Sequence, residues 1–165
     1  MAMRSIQELF EHELTDIYSA EQSLLDALEQ MAEQSSDREI EKAFTQHRRE
    51  TQGQIKRIEK IMKSIGRRPE TKSCPGIEGL IKEKKAFMRE RPSAELVEFF
   101  NVGAGQKVER YEITAYESLI DMADKLGMMD AVELLEQSLH EEETALNTLK
   151  TIASEFDVEE ATIAS

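Results

Sequence analysis

Leu135-Glu-Gln-Ser-Leu-His-Glu-Glu-Glu-Thr-Ala-Leu-Asn-Thr-Leu149 decides how this chain is read. Leu135, Leu139, Glu142, Leu146 and Leu149 follow one another at spacings of four, three, four and three, so they share one helical face. Glu142 takes a core position with two leucines on either side. An ionised carboxylate there is costly unless it is paired or bound to a cation. The rest of the chain must supply what it pairs with.

Working outward, Asp130 and Glu133 form a capping-box pattern that opens this last helix, and Gly127 closes the one before. That third long helix is capped by Ser93 and striped by Leu96, Phe99, Val102, Gln106, Glu109, Ile113, Tyr116, Ile120 and Ala123. Near the start, Ser5 with Glu8 opens a helix striped by Ile6, Phe10, Leu14, Ile17, Glu21, Leu24, Leu28 and Met31. Ser36 with Glu39 opens another, striped by Ile40, Phe44, His47, Thr51, Ile55, Ile58, Met62 and Ile65, with Glu50 on the same face. The pattern predicts long helices over about 4–34, 37–65, 93–127 and 130–156. The tail after Phe156 reads as frayed. A crossover over about 66–92 begins as a loop and carries a short amphipathic helix with Ile77, Leu80, Ile81, Phe87 and Met88 on one side. Such a connector can run the length of a bundle. The expectation is one all-α domain over 1–165: a four-helix bundle with a long crossover carrying a short fifth helix.

The stripe glutamates Glu21, Glu50, Glu109 and Glu142 each fall close to the midpoint of their helix. At roughly 1.5 Å rise per residue, all four come within about 3 Å of one level. Four like charges converging in low dielectric require a cation, or several must bind protons. His47 precedes Glu50 by one turn, Gln54 follows it by one turn, and Glu112 follows Glu109 by one turn. Oxygen-rich sites with an imidazole suit Fe or Mn, and bundle cores are where dinuclear carboxylate sites are built. Neither histidine sits three residues after a stripe glutamate: Gly53 and Ala145 occupy those places. His140 points away from Glu142, and Glu112 can replace the missing ligand with oxygen. The other reading is a bundle whose core glutamates are simply protonated or hydrogen-bonded.

Composition narrows the function classes. Thirty-four acidic against twenty-one basic side chains give a net charge of −13, which repels nucleic acid and anionic lipid. The single cysteine, Cys74, has no internal disulfide partner, and no apolar run reaches membrane-spanning length. A cytoplasmic protein is expected. Cys74 reads as plain packing. Tyr18 and Tyr116 read as core rings with a polar tip that can reach a ligand carboxylate, and Tyr111 as half exposed.

Tyr18-Ser-Ala-Glu21, His47-Arg-Arg-Glu-Thr-Gln-Gly-Gln54, Ile77-Glu-Gly-Leu-Ile81 and Gln106-Lys-Val-Glu-Arg-Tyr-Glu-Ile-Thr-Ala-Tyr116 resemble the bacterial YciE/YciF stress proteins. The resemblance covers nearly the whole chain in order. It implies a ferritin-like fold, a tendency to homodimers, and a di-iron centre similar to that of rubrerythrin. By that resemblance the ligands are Glu21, Glu50, Glu109, Glu112 and Glu142, with His47 as nitrogen donor, holding two iron ions or manganese. The expected role is a stress protein reacting with peroxide or dioxygen, in which the carboxylates are ligands and not general acids. The alternatives are a non-catalytic stress or assembly protein with a structural or vestigial metal site, and iron storage in a hollow cage.

Overall fold

The computed structural model describes residues 2–156, so the tail expected to fray lies outside the described residues. Five helices follow one another: α1 (Ile6–Glu33), α2 (Arg38–Ser64), α3 (Pro75–Arg89), α4 (Ala94–Lys125) and α5 (Met129–Glu155). No strand occurs among the described residues. The four long helices form the bundle, and α3 is the short helix of the crossover. α1 packs against α2 and α4, and α5 packs against the same two from the other side. The crossover runs up the α1/α4 face, tied by Lys72 N–H donating to Ser19 Oγ at 2.8 Å and by the Lys107–Glu83 ion pair at 2.7 Å. It carries the chain back to the end where α2 began, so α2 and α4 are parallel diagonals and every adjacent pair is antiparallel. The architecture is the ferritin-like bundle that the sequence predicts.

Helix starts show how local chemistry sets these boundaries. Ser5 and Glu8 cap α1 reciprocally: Glu8 N–H donates to Ser5 Oγ at 3.1 Å, and Ser5 N–H donates to the Glu8 carboxylate at 3.0 Å. Ser93 caps α4 through Leu96 N–H. The other two caps differ from expectation. Asp37, not Ser36, caps α2, accepting from Glu39 and Ile40 N–H at 2.6 and 3.2 Å. The Ser36 hydroxyl is turned instead to Glu98 of α4, donating to Oε2 at 3.2 Å, and the N–H groups of Ser36 and Asp37 donate to Oε1 of the same carboxylate at 2.7 and 2.9 Å. α5 starts at Met129 without a side-chain cap, so Asp130 and Glu133 form no capping box. Gly127, at φ 69°, turns the chain so tightly that the helix begins before Asp130 is reached.

Glu98, itself buried, thus joins the start of α4 to the exposed α1–α2 turn through partly buried hydrogen bonds. Glu98→Ala is expected to lower stability by about 1–3 kcal/mol, because two backbone N–H groups lose a charged acceptor. Denaturant unfolding checks this, with Glu95→Ala as the exposed control.

The buried seams are close to those predicted on α1 and α2. On α4 one ladder is displaced by a residue. Val102, Glu109, Tyr116 and Ala123 point inward as expected, but the interleaved ladder is Glu98, Gly105, Glu112 and Leu119. Leu96 and Phe99, expected inside, are 43% and 49% exposed. The physical reason is that three members of the true ladder are glutamates or glycine. Polarity alone therefore favours the neighbouring Ile113 and Ile120. On α5 the seam likewise passes through Ser138, leaving Leu139 and Leu146 half-buried on the flanks. Ile6, at the end of the α1 stripe, is 40% exposed.

α3 is held down by Ile77, which is fully buried, and by Phe87 stacked on Phe100 at 4.0 Å between ring centres. Gly76, in its first turn, allows this close approach. A Cβ there would press on the Tyr111 ring and lie 2.7 Å from its oxygen. Gly76→Ala is expected to cost about 1–3 kcal/mol through overpacking, in spite of the better helix propensity of alanine. Thermal unfolding measures it.

Candidate metal centre

Each long helix places acidic or metal-ligating side chains on its seam at mid-bundle. α1 contributes Glu21, α2 His47 and Gln54, α4 Glu109 and Glu112, and α5 Glu142, all buried. His47, Glu109, Glu112 and Glu142 each offer an atom within 4.8 Å of those of the other three. His47 Nε2 lies 3.3 Å from Glu109 Oε2, 3.6 Å from Glu142 Oε2 and 4.0 Å from Glu112 Oε2. Glu21 belongs to the same buried layer, and its Oε1 accepts a hydrogen bond from the Tyr116 hydroxyl.

Most of these atoms lack a hydrogen-bond partner. Both ring nitrogens of His47, both oxygens of Glu112, and Oε2 of Glu21, Glu109 and Glu142 are buried and unpartnered among the described residues. Buried polar groups are nearly always satisfied in folded proteins. Seven of the eleven buried, unpartnered side-chain polar atoms among the described residues belong to this one layer, five of them carboxylate oxygens and two of them imidazole nitrogens. One or two cations in that layer would satisfy them together, so the donor set fits an iron or manganese site.

The electrostatics agree. Burial pushes the Glu21 carboxyl up to about 8, helped by the nearby Glu142 charge and opposed by the Tyr116 hydrogen bond. Burial raises Glu109 well above the usual carboxylate range although His47 opposes it, and raises Glu112 with Glu21 and Glu142 adding to the effect. For His47, burial disfavours the charged ring, but Glu109 and Glu142 outweigh it and carry the imidazole to about 10. Burial therefore favours the protonated forms of Glu21, Glu109 and Glu112 in this layer. A bound metal would displace those protons.

Glu50 is the departure from the expected set. It stands at the edge of the site, half-buried, with Oε2 3.6 Å from His47 Nδ1 and Oε1 accepting from Gln46 at 2.9 Å. The α2 seam at this level runs through positions 47, 51 and 54, so position 50 falls on the flank. The level expected for four stripe glutamates is therefore built from three of them, Glu21, Glu109 and Glu142, together with Glu112 and His47. His140 is exposed, as its spacing from Glu142 implies.

A supporting network lies on the α2/α5 side. Arg57 makes two bonds to Glu141, at 2.9 and 2.5 Å, and a third to Ser138 Oγ at 3.0 Å. Gln54 Nε2 donates to Glu141 at 3.1 Å and also to Glu142 Oε1. Gln54 thereby holds one Glu142 oxygen, leaving the other for the centre. The signal for Gln54 was its place one turn after Glu50. Nothing local in the sequence marks the pairing of Arg57 with Glu141.

Among the other residues of interest, Tyr116 reaches a candidate ligand whereas Tyr18 donates to Glu59 at 3.1 Å. Cys74 is buried at the start of α3, its thiol 3.2 Å from Asp16 Oδ2 and 3.4 Å from the Tyr111 hydroxyl. Burial pushes that thiol up, as it should for a packing residue. Half-buried Tyr111 also donates to Asp16, at 3.1 Å. A cavity of about 80 Å³ between α2 and α5, lined by His47, Glu50, Glu109, Ala145 and Thr148, leads inward to the centre. No described helix is long and apolar enough to cross a membrane.

Comparison with known proteins gives a consistent picture. The family described as Domain of unknown function (DUF892) matches residues 5–162. Protein YciF of Escherichia coli is 37% identical over 143 residues, which is 86% of each chain. The crystal structure of that E. coli stress protein superposes with a TM-score of 0.86 at 35% identity, over 92% of this chain and 96% of the other. YcfI of Rhodopseudomonas palustris, described as a candidate structural protein, has the same TM-score at 38% identity, over 90% and 94%.

Proposed function

The chain belongs to the DUF892 family, and from that footing we propose that it is a stress-associated protein holding a dinuclear iron, or iron–manganese, carboxylate centre that reacts with peroxide or dioxygen. The observation that carries this reading is the convergence of unpartnered, buried carboxylate oxygens and one imidazole on a single point. His47, Glu109, Glu112 and Glu142 would hold the metals, Glu21 would complete the layer from α1, and Glu50 would close it at the edge. When bound, such a pair of metals supplies electrons to an O–O bond and polarises it.

The chain's own residues do the rest. Tyr116 fixes the orientation of Glu21, and Gln54 fixes that of Glu142. The Arg57–Glu141 pair holds Gln54 in place from outside. Apolar layers above and below exclude bulk water and raise the strength of every charge interaction within. The small cavity beside Glu50 admits a small oxidant and excludes bulky substrates. A homodimer is part of the proposal, and light scattering distinguishes it from a ferritin-type cage.

The test is peroxide consumption by anaerobically iron-loaded protein. Consumption at least about tenfold faster than with metal-free protein or an equal amount of free iron supports the reading. Stoichiometric metal without any acceleration would sink the reaction and favour the second reading, a metal-stabilised structural protein, which the description of YcfI also favours.

A further inference from the structure

A second site lies away from the carboxylate layer, where the crossover helix α3 rests on α1 and α4. A pocket of about 340 Å³ opens there, within the range of small-ligand sites. Leu24, Met31 and Val108 form a buried apolar floor, Leu80 and Ile81 come from α3, and Gln30 and Gln34 add polar groups from α1 and the residue after it. Lys84 lines the same pocket, and its Nζ is buried with no hydrogen-bond partner among the described residues. Leaving an ammonium in that condition is costly, so such groups are normally paired. Burial alone accounts for its lowered basicity, with the amine brought down to about 8.

The charge around the pocket has the opposite sign to that of the chain. Lys84, Lys85, Arg89 and Lys107 line it, against the single acid Glu83, which is taken up by Lys107 at 2.7 Å. On a protein of net charge −13, this local cationic patch beside an apolar chamber is complementary to an anion with an apolar body. We propose that the pocket between α1, α3 and α4 binds a linear alkyl carboxylate, with the chain on Leu24, Met31 and Val108 and the carboxylate on Lys84. Burial of the chain supplies affinity, and the charge-assisted hydrogen bonds from Lys84 supply selectivity for the acid over the alcohol.

Decanoate, titrated below its micellar concentration and followed by calorimetry, is the probe, with decanol as the uncharged match. Saturable binding of one decanoate per chain is expected, with decanol at least about tenfold weaker. Lys84→Met keeps the apolar stem and removes the charge, and should weaken decanoate at least about tenfold while folding as well as the parent or better. Ala104→Leu, which narrows the pocket, should weaken both ligands. Absence of saturable decanoate binding, equal binding of decanol, or an unchanged affinity in Lys84→Met would each overturn the assignment. So would a dimer that occludes the pocket and is not displaced by decanoate. Metal content plays no part in these readouts, so the outcome is independent of the carboxylate centre.

Discussion

The Glu109→Gln/Glu142→Gln variant is expected to lose its metal and, in the metal-free state, to melt at least about 5 °C higher than the parent. Both carboxylates are buried and project oxygens that no described residue satisfies. Glutamine keeps the volume and replaces two buried acid groups by neutral amides, so the metal-free core no longer bears the cost of holding acid groups in a crowded, buried layer. Gln54 can still donate to the remaining carbonyl oxygen at position 142. The same exchange removes two anionic ligands from a cluster of four side chains, so metal content should fall to less than about a tenth of the parent value. Glu143→Gln, on the exposed side of α5, should change neither quantity. A variant that keeps its metal would show that the cluster is not the site. A variant that loses metal and also melts lower would show that the carboxylates stabilise the metal-free fold through contacts with one another.

The second large effect is on pH. Metal-free protein should lose stability as pH rises from about 5.5 to 8.5, with a fall in Tm of at least about 5 °C. The sign follows from two groups. Glu21 is raised by burial from its ordinary value to about 8, so the folded state binds a proton that the unfolded chain has already released. That contribution is complete below the unfolded pKa and disappears as pH climbs through about 8. His47 is raised to about 10 because Glu109 and Glu142 outweigh the effect of burial. Its contribution is likewise complete below the unfolded histidine pKa, about 6.5, and declines from there up to about 10. Both slopes therefore have the same sign. Metal loading displaces these protons, so metal affinity should rise with pH and the Tm difference between loaded and metal-free protein should widen. Melting curves for the two forms across this range check it. A metal-free Tm that rises over the range would show that the layer carries its carboxylates ionised and compensated by groups outside it.

Much of the architecture was legible because the seams of α1 and α2 are written in large apolar residues. Phe10, Leu14, Ile17, Leu24 and Leu28 define one face without ambiguity, and Ile40, Phe44, Ile58 and Met62 define another. The crossover was legible from the loop-like opening of residues 66–92 and from the length of that stretch before Ser93. The α4 register was harder to see, since Glu98, Gly105 and Glu112 occupy seam positions that hydropathy assigns to the surface. Each is there for a physical reason invisible to periodicity: Glu98 caps a distant turn, Gly105 lets Leu149 and Phe44 approach, and Glu112 faces the carboxylate layer. Glu50 departs in the opposite direction, standing at the edge of the layer and not within it. Its spacing from His47 placed both on one face of α2, but a helix packed between two neighbours has a seam narrower than that face. The Arg57–Glu141–Gln54 network needed the tertiary pairing of α2 with α5, which no local pattern contains. The same holds for the buried amine of Lys84, which reads as part of a solvated basic run until α3 is laid against α1 and α4.

The central claim is that the buried layer is a metal site, and equilibrium dialysis of the full chain against Fe(II) under anaerobic conditions tests it most directly. About two ions per chain, bound saturably and lost in the Glu109→Gln/Glu142→Gln variant, is the result the account predicts. Binding no greater than that of the variant would contradict it, and the glutamates would then be protonated core residues of a structural bundle.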